Sequence, residues 1–213
     1  MTFVKGFPVK EGDGEVVAKG PAQRGAARRE AIVEAALEVF AERGYRAGAL
    51  GDIAARVDVT AAGILYHFGS KEALLLAVIA ERDRLAAESL AQLPRTGGLE
   101  ALDHLVDLGE AIENEKGLAM LHTVLQAESF DADAPAHGYF LARSRLVRQW
   151  LEHVLSEAQR DGDVPAEVDC GAKAREFVAY MEGAAVLWLL DDEVSLVELY
   201  GTFSRSFIDS LRP

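Results

Sequence analysis

Side chains able to do covalent or metal chemistry are few in this 213-residue chain, and their spacing does not suit it. The five histidines form no His-Glu-x-x-His pair and no Glu-x-x-His, so neither a zinc-protease helix nor a di-iron bundle is indicated. No Gly-x-x-x-x-Gly-Lys loop or Gly-x-Gly-x-x-Gly turn is available to cradle a phosphate. The single cysteine, Cys170, lies in a Gly-flanked break beside Asp169, a setting that does not favour a reactive thiolate. One cysteine cannot close an intramolecular disulfide or a Cys-rich zinc site, and it suits a cytoplasmic protein. The expectation is therefore no enzyme, no metal and no cofactor. Residues 50–67 suit something else. Leu50, Ile53, Ala54 and Val57 recur at helical spacing, Asp58-Val59-Thr60 follows, and Thr60 can cap a brief helix from Ala61 to His67. Two short helices so joined have the layout of a helix-turn-helix, whose second helix lies in the DNA major groove. A plain corner of a helical bundle has the same spacing.

The elements that position these residues are all helical. All six prolines fall outside the apolar-periodic segments, and no stretch alternates as a half-buried strand would. Residues 1–23 read as a disordered leader. A first helix is expected over Ala26 to Arg43, with Ile32, Ala35, Ala36, Val39 and Phe40 on one face and Gly44 as its stop. After the helix-turn-helix, Gly69-Ser70 breaks the chain, and Ser70 can cap a fourth helix running from Lys71 to about Leu93. Further helices are expected at 99–115, 117–128, 137–161, 170–190 and 194–211. The longest apolar run, Gly183 to Leu190, is far short of the roughly 20 residues that span a bilayer. Neither a membrane partner nor a secretory signal is expected.

Charge is split along the chain. Of 22 basic and 35 acidic residues (net −13), residues 1–75 hold ten of each, so the whole surplus of acid lies beyond them. An acidic body repels nucleic acid, so any DNA contact must come from the first third. Arg24 and Lys19 are candidates for a basic arm.

The runs EVFAERGY (38–45), DIAARVDVT (52–60) and ILYHFGSKEALL (64–75) together resemble the DNA-binding domain of TetR-family transcriptional regulators over about residues 26–85. The resemblance implies an all-α fold, with a helix-turn-helix domain at 24–85 (the motif itself at about 48–67) and a ligand-binding and dimerisation domain at 86–213. It implies a homodimeric, cytoplasmic repressor on an inverted-repeat, double-stranded DNA operator, released by a small-molecule effector. Thr60, Ala61, Ala62, Tyr66 and His67 match the region where the family reads bases and grips phosphate. Lys71 matches a phosphate-binding basic residue at the start of the fourth helix, and Arg28 and Arg29 become phosphate contacts. Gly48 matches a position that is usually Thr, capping the second helix and touching the DNA backbone. Gly48-Ala49 thus replaces the usual hydroxyl pair, Leu65 stands where many members have Tyr, and Ala62 where many have Gly. With alanines leading the recognition helix, thymine methyls and DNA shape carry more of the readout. Tyr66 and His67 can equally pack on the first helix. The departures also leave open a helical ligand carrier or enzyme that has lost DNA binding, and an interaction adaptor using the acidic body.

In the C-terminal body, Leu196, Tyr200, Phe203, Phe207 and Leu211 form a narrow seam that serves a dimer interface or an intrachain core. Met120, Phe140, Trp150, Phe177, Tyr180, Met181 and Trp188 supply apolar walls for an effector cavity, and His104, His122 and Gln126 its polar groups. For each of these, core packing is the alternative.

Overall fold

The computed structural model describes residues 21–90 and 99–211, and every regular element among them is a helix. α1 spans Pro21–Ala47, α2 Leu50–Arg56, α3 Ala61–Phe68, α4 Lys71–Leu90, α5 Glu100–Asp103, α6 Leu105–Glu113, α7 Lys116–Glu128, α8 His137–Asp161, α9 Cys170–Leu190 and α10 Leu196–Leu211. The leader expected over 1–23 ends sooner, because Pro21, Ala22 and Gln23 belong to α1. Pro is tolerated in a first turn, where its missing N–H has no helical partner. The rest of that leader, with Lys19, lies outside the described residues.

The expected punctuation acts as backbone chemistry predicts. Gly44 leaves the helical region at φ 75° and breaks α1. Gly162, not among the expected stops, closes α8 in the left-handed conformation. The Thr60 hydroxyl accepts from the Gly63 N–H at 3.0 Å, and the Ser70 hydroxyl from the Ala73 N–H at 3.1 Å, so both expected caps form. One helix expected over 99–115 is broken at His104, whose side chain bonds Asp107 at 2.9 Å. No Gly or Pro marks that break.

Two cores hold the molecule together. The first gathers Ile32, Val39 and Phe40 of α1, Ile53 of α2, Ile64 of α3 and Val78 of α4, and continues into Leu121 and Leu125 of α7. α4 runs unbroken through the expected domain boundary at 85, and α1 packs along α7. The two functional regions therefore share buried surface. The second core joins α5, α8, α9 and α10 through Leu151, Phe177, Trp188, Tyr200 and Phe207.

Three expectations are corrected by this packing. Leu196, Tyr200 and Phe207 are at most 2% exposed, and Phe203 packs on Phe177, so the seam expected to meet a partner is filled by the chain's own α9 and α6. Trp150 is 50% exposed on α8 and walls no interior cavity. Gly48 is buried and does not cap α2, whose N-cap is Ala49. A Cβ at Gly48 would stand 2.8 Å from the Gly44 carbonyl oxygen and from Phe40 Cδ1, so close packing explains the glycine.

Candidate nucleic-acid interface

α3 turns one face inward and the other to solvent. Ile64 is fully buried, whereas Ala62, Leu65 and Tyr66 point outward, with Tyr66 88% exposed. Thr60 is exposed at the helix start, Ala61 is half-buried, and His67 is half-buried with its ring edge-on to Tyr66 at 5.6 Å. Of the two readings of Tyr66, packing against α1 is therefore excluded. α2 and α3 are joined by a turn in which Asp58 adopts φ 49°, a conformation that Asp tolerates better than most residues.

The basic residues around α3 are mostly committed to the protein itself. Arg28 donates to the Val57 carbonyl at 3.0 Å and so steadies the turn, while Arg29 lies over the Phe68 ring at 4.7 Å. The Lys71 ammonium donates to the Tyr45 carbonyl at 2.6 Å and the Arg46 carbonyl at 3.4 Å, and sits 4.5 Å above the Tyr45 ring. It thus ties α4 to the end of α1, a role the sequence did not reveal. Arg43 pairs with Asp52, and Arg56 with both Glu38 and Glu42.

Glu128, at the end of α7, was also missed. Its carboxylate accepts from the Tyr45 N–H at 2.6 Å and the Arg46 N–H at 3.2 Å, reaching from α7 to the segment that leads into α2. Lys71 holds the carbonyls of the same two residues. A crevice of about 200 Å³ opens beside this clamp, lined in part by Arg46, Glu128, Asp131 and Pro135.

The expected effector residues divide into two groups. Phe177, Tyr180, Met181 and Trp188 pack in or against the second core, where Tyr180 stacks on Phe203 at 3.8 Å and donates to the Leu199 carbonyl. His104 is spent on Asp107. His122, Gln126 and Phe140 lie apart from these, with His122 5.4 Å from the Phe140 ring and Met120 half-buried on the same helix. Arg82, not among the expected site residues, continues the Leu74, Leu75, Val78 stripe of α4. A cation on an apolar stripe was the signal. Among the described residues, no group of His, Cys, Asp and Glu is arranged to hold a metal ion, and no single helix is long and apolar enough to cross a membrane.

The family described as "Bacterial regulatory proteins, tetR family" matches residues 32–78, which span the core of α1, the helix-turn-helix and the start of α4. The HTH-type transcriptional repressor Rv3405c of Mycobacterium tuberculosis is 32% identical over 164 residues, covering 75% of this chain and 71% of that one. The HTH-type transcriptional regulator TtgR of Pseudomonas putida is 27% identical over 193 residues, covering 86% and 91%. The crystal structure of a TetR transcriptional regulator from Chloroflexus aurantiacus superposes with a TM-score of 0.74 at 23% identity, covering 89% of this chain and 98% of that one. The outward α3, the capped turn before it and these likenesses agree: the chain belongs to the TetR family of DNA-binding transcriptional regulators.

Proposed function

We propose that this chain is a homodimeric, cytoplasmic repressor that binds an inverted-repeat operator and leaves it when a small molecule occupies the C-terminal domain. The observation that carries the reading is α3: a capped helix whose Thr60, Ala62, Leu65 and Tyr66 face solvent while Ile64 anchors it. That face is short of hydrogen-bonding groups. It favours thymine methyls and groove shape, with the Tyr66 hydroxyl as its exposed polar tip. The name of the Mycobacterium tuberculosis relative supports repression over activation.

The dimer surface we assign differs from the seam above. Along α9, Ala172, Ala179, Gly183, Leu187 and Leu190 are exposed, with Leu190 81% so. Small residues early and leucines late let a second copy approach closely along this face. Leu146 and Trp150 are exposed on α8, which packs along α9, and widen the apolar surface. Two recognition helices held roughly 34–36 Å apart would read half-sites one DNA turn apart.

Selection of bound duplexes from a randomised library, at low and moderate salt, tests the reading. Enrichment of an inverted repeat that Tyr66→Ala no longer binds is the expected result. No enrichment from folded, dimeric protein would overturn it and favour a ligand carrier or an enzyme on the same bundle.

A further inference from the structure

In the interior between α4, α7 and α8, polar side chains converge where an apolar stripe would serve packing better. Part of this cluster is satisfied. Arg82, with its side chain 8% exposed, pairs with Asp83 and donates to the Tyr139 hydroxyl at 3.3 Å, and that hydroxyl donates to Asp83 at 2.8 and 2.6 Å. The rest is not. His122 rests on the Phe140 ring, and its Nδ1 is buried without a hydrogen-bond partner among the described residues. An orphaned buried polar atom is destabilising and rare in native proteins, so it asks for a reason. Arg143 of α8 is half-buried nearby, and its guanidinium has no hydrogen-bonded partner among the described residues.

The charges that act directly on the imidazole are positive, with the Asp83 and Glu182 carboxyls lying beyond them. Desolvation, then the guanidiniums of Arg82 and Arg143, push His122 down to about 3, so the ring is neutral in a positive potential. Across the cluster, Glu182 of α9 is solvent-accessible, yet desolvation raises its pKa against the opposing pull of the Gln126 amide and both guanidiniums. The surplus of acid belongs to the outer surface of this body, so it does not decide what its interior accepts.

We propose that the effector is an organic carboxylate, whose oxygens accept from His122 Nδ1–H and the Arg143 guanidinium while its apolar body lies against Phe140. The ligand supplies the acceptor that His122 lacks and the hydrogen-bonded oxygen that Arg143 lacks, and it bridges α7 to α8. This inference rests on the ligand-responsive reading proposed above, but it is testable without DNA.

The purified full chain is titrated by calorimetry with octanoate, decanoate, benzoate and salicylate, each beside its primary amide. At least one carboxylate is expected to bind about tenfold or more tightly than its amide, the ratio that one charge-assisted contact supports. Arg143→Gln should erase that preference. His122→Phe should weaken carboxylate binding while raising Tm, because an apolar ring removes the orphaned atom, and a merely structural histidine would not separate these two readouts. Equal binding of acids and amides, no binding by any of the four acids, or wild-type binding by both variants would overturn the proposal. Carboxylate binding by a protein that selects no DNA would leave the site standing and remove the regulator. An operator without acid binding would do the reverse.

Discussion

Glu128 offers the sharpest perturbation, because one side chain joins α7 to the segment entering the helix-turn-helix. Its carboxylate accepts from two backbone N–H groups, of Tyr45 at 2.6 Å and Arg46 at 3.2 Å. Hydrogen bonds to a charged group contribute about 1.5–3 kcal/mol each, and since one of these is exposed to solvent the pair is worth about 2–3 kcal/mol. Glu128→Ala should therefore lower Tm by roughly 5–10 °C for a chain of this length. Gly44 supplies the control. It sits at φ 75°, and a Cβ there would stand 2.6 Å from Glu128 Oε1. Gly44→Ala thus loses about 1–2 kcal/mol to backbone strain and also expels the carboxylate. With the carboxylate already gone, only the strain is left. The double variant should cost about 3–5 kcal/mol, below the sum of the single variants by about 2–3 kcal/mol. Thermal or urea unfolding of the four proteins measures the cycle, and titration of the selected operator reads its consequence. Operator affinity should fall on the order of tenfold in Glu128→Ala, since the recognition helix is no longer tied to α7. Additivity within about 0.5 kcal/mol, or a Tm unchanged by Glu128→Ala, would refute the clamp.

Three other outcomes follow from the same packing. Lys71→Ala should lower Tm, because the ammonium holds the Tyr45 and Arg46 carbonyls, while the salt dependence of operator binding stays unchanged; a dimer slope reduced by about two units would return Lys71 to the phosphates. His122 is held neutral down to about pH 3, below its unfolded value of about 6.5, so its contribution is complete above that value and is lost as pH falls. Between pH 7.5 and 5.5 the wild type should lose about 1.4 kcal/mol that His122→Phe retains, and parallel pH profiles would contradict this. Leu187→Glu, on the exposed face of α9, should give a folded monomer by sedimentation, whereas Leu196→Glu in the core should unfold the chain; a dimeric Leu187→Glu protein would move the interface elsewhere.

Most of the helices were legible because their signals are local. Thr60 and Ser70 cap, Gly44 stops, and the apolar period between them fixes the buried face. The seam of Leu196, Tyr200, Phe203 and Phe207 shows where that logic ends. A heptad-like period reports that a face is buried, not whether its own chain or a second copy buries it, and here α6 and α9 do so. At Gly48 the family pattern shows only that the usual capping hydroxyl is missing, because pattern matching sees what a residue lacks. The constraint, contact with Phe40 and the Gly44 carbonyl, lies across a helix turn. Glu128 and Lys71 were beyond sequence reasoning for another reason. Their partners are backbone atoms 82 and 83 residues away in one case and 25 and 26 in the other, and backbone atoms leave no trace in residue type.

The electrostatics of the DNA face make the mode of binding quantitative. The chain carries a net charge of −13, and Arg43 and Arg56 are neutralised by Asp52, Glu38 and Glu42. Among the described residues close to α2 and α3, that leaves Arg28, Arg29 and Arg46 as cations with exposed side chains and no carboxylate partner. Three phosphate contacts per subunit give a dimer a salt slope of about −5. Freeing Arg56 by the double substitution Glu38→Gln and Glu42→Gln should steepen that slope by up to about two units and raise affinity for random duplexes, with little gain for the operator. The ion pairs would then act as a filter: they suppress sequence-independent attraction and leave discrimination to the fit of Ala62, Leu65 and Tyr66 in the groove. A slope as steep as about −10 for the unaltered protein would mean that these pairs open on DNA. An unchanged slope in the double variant would mean that Arg56 never reaches the duplex.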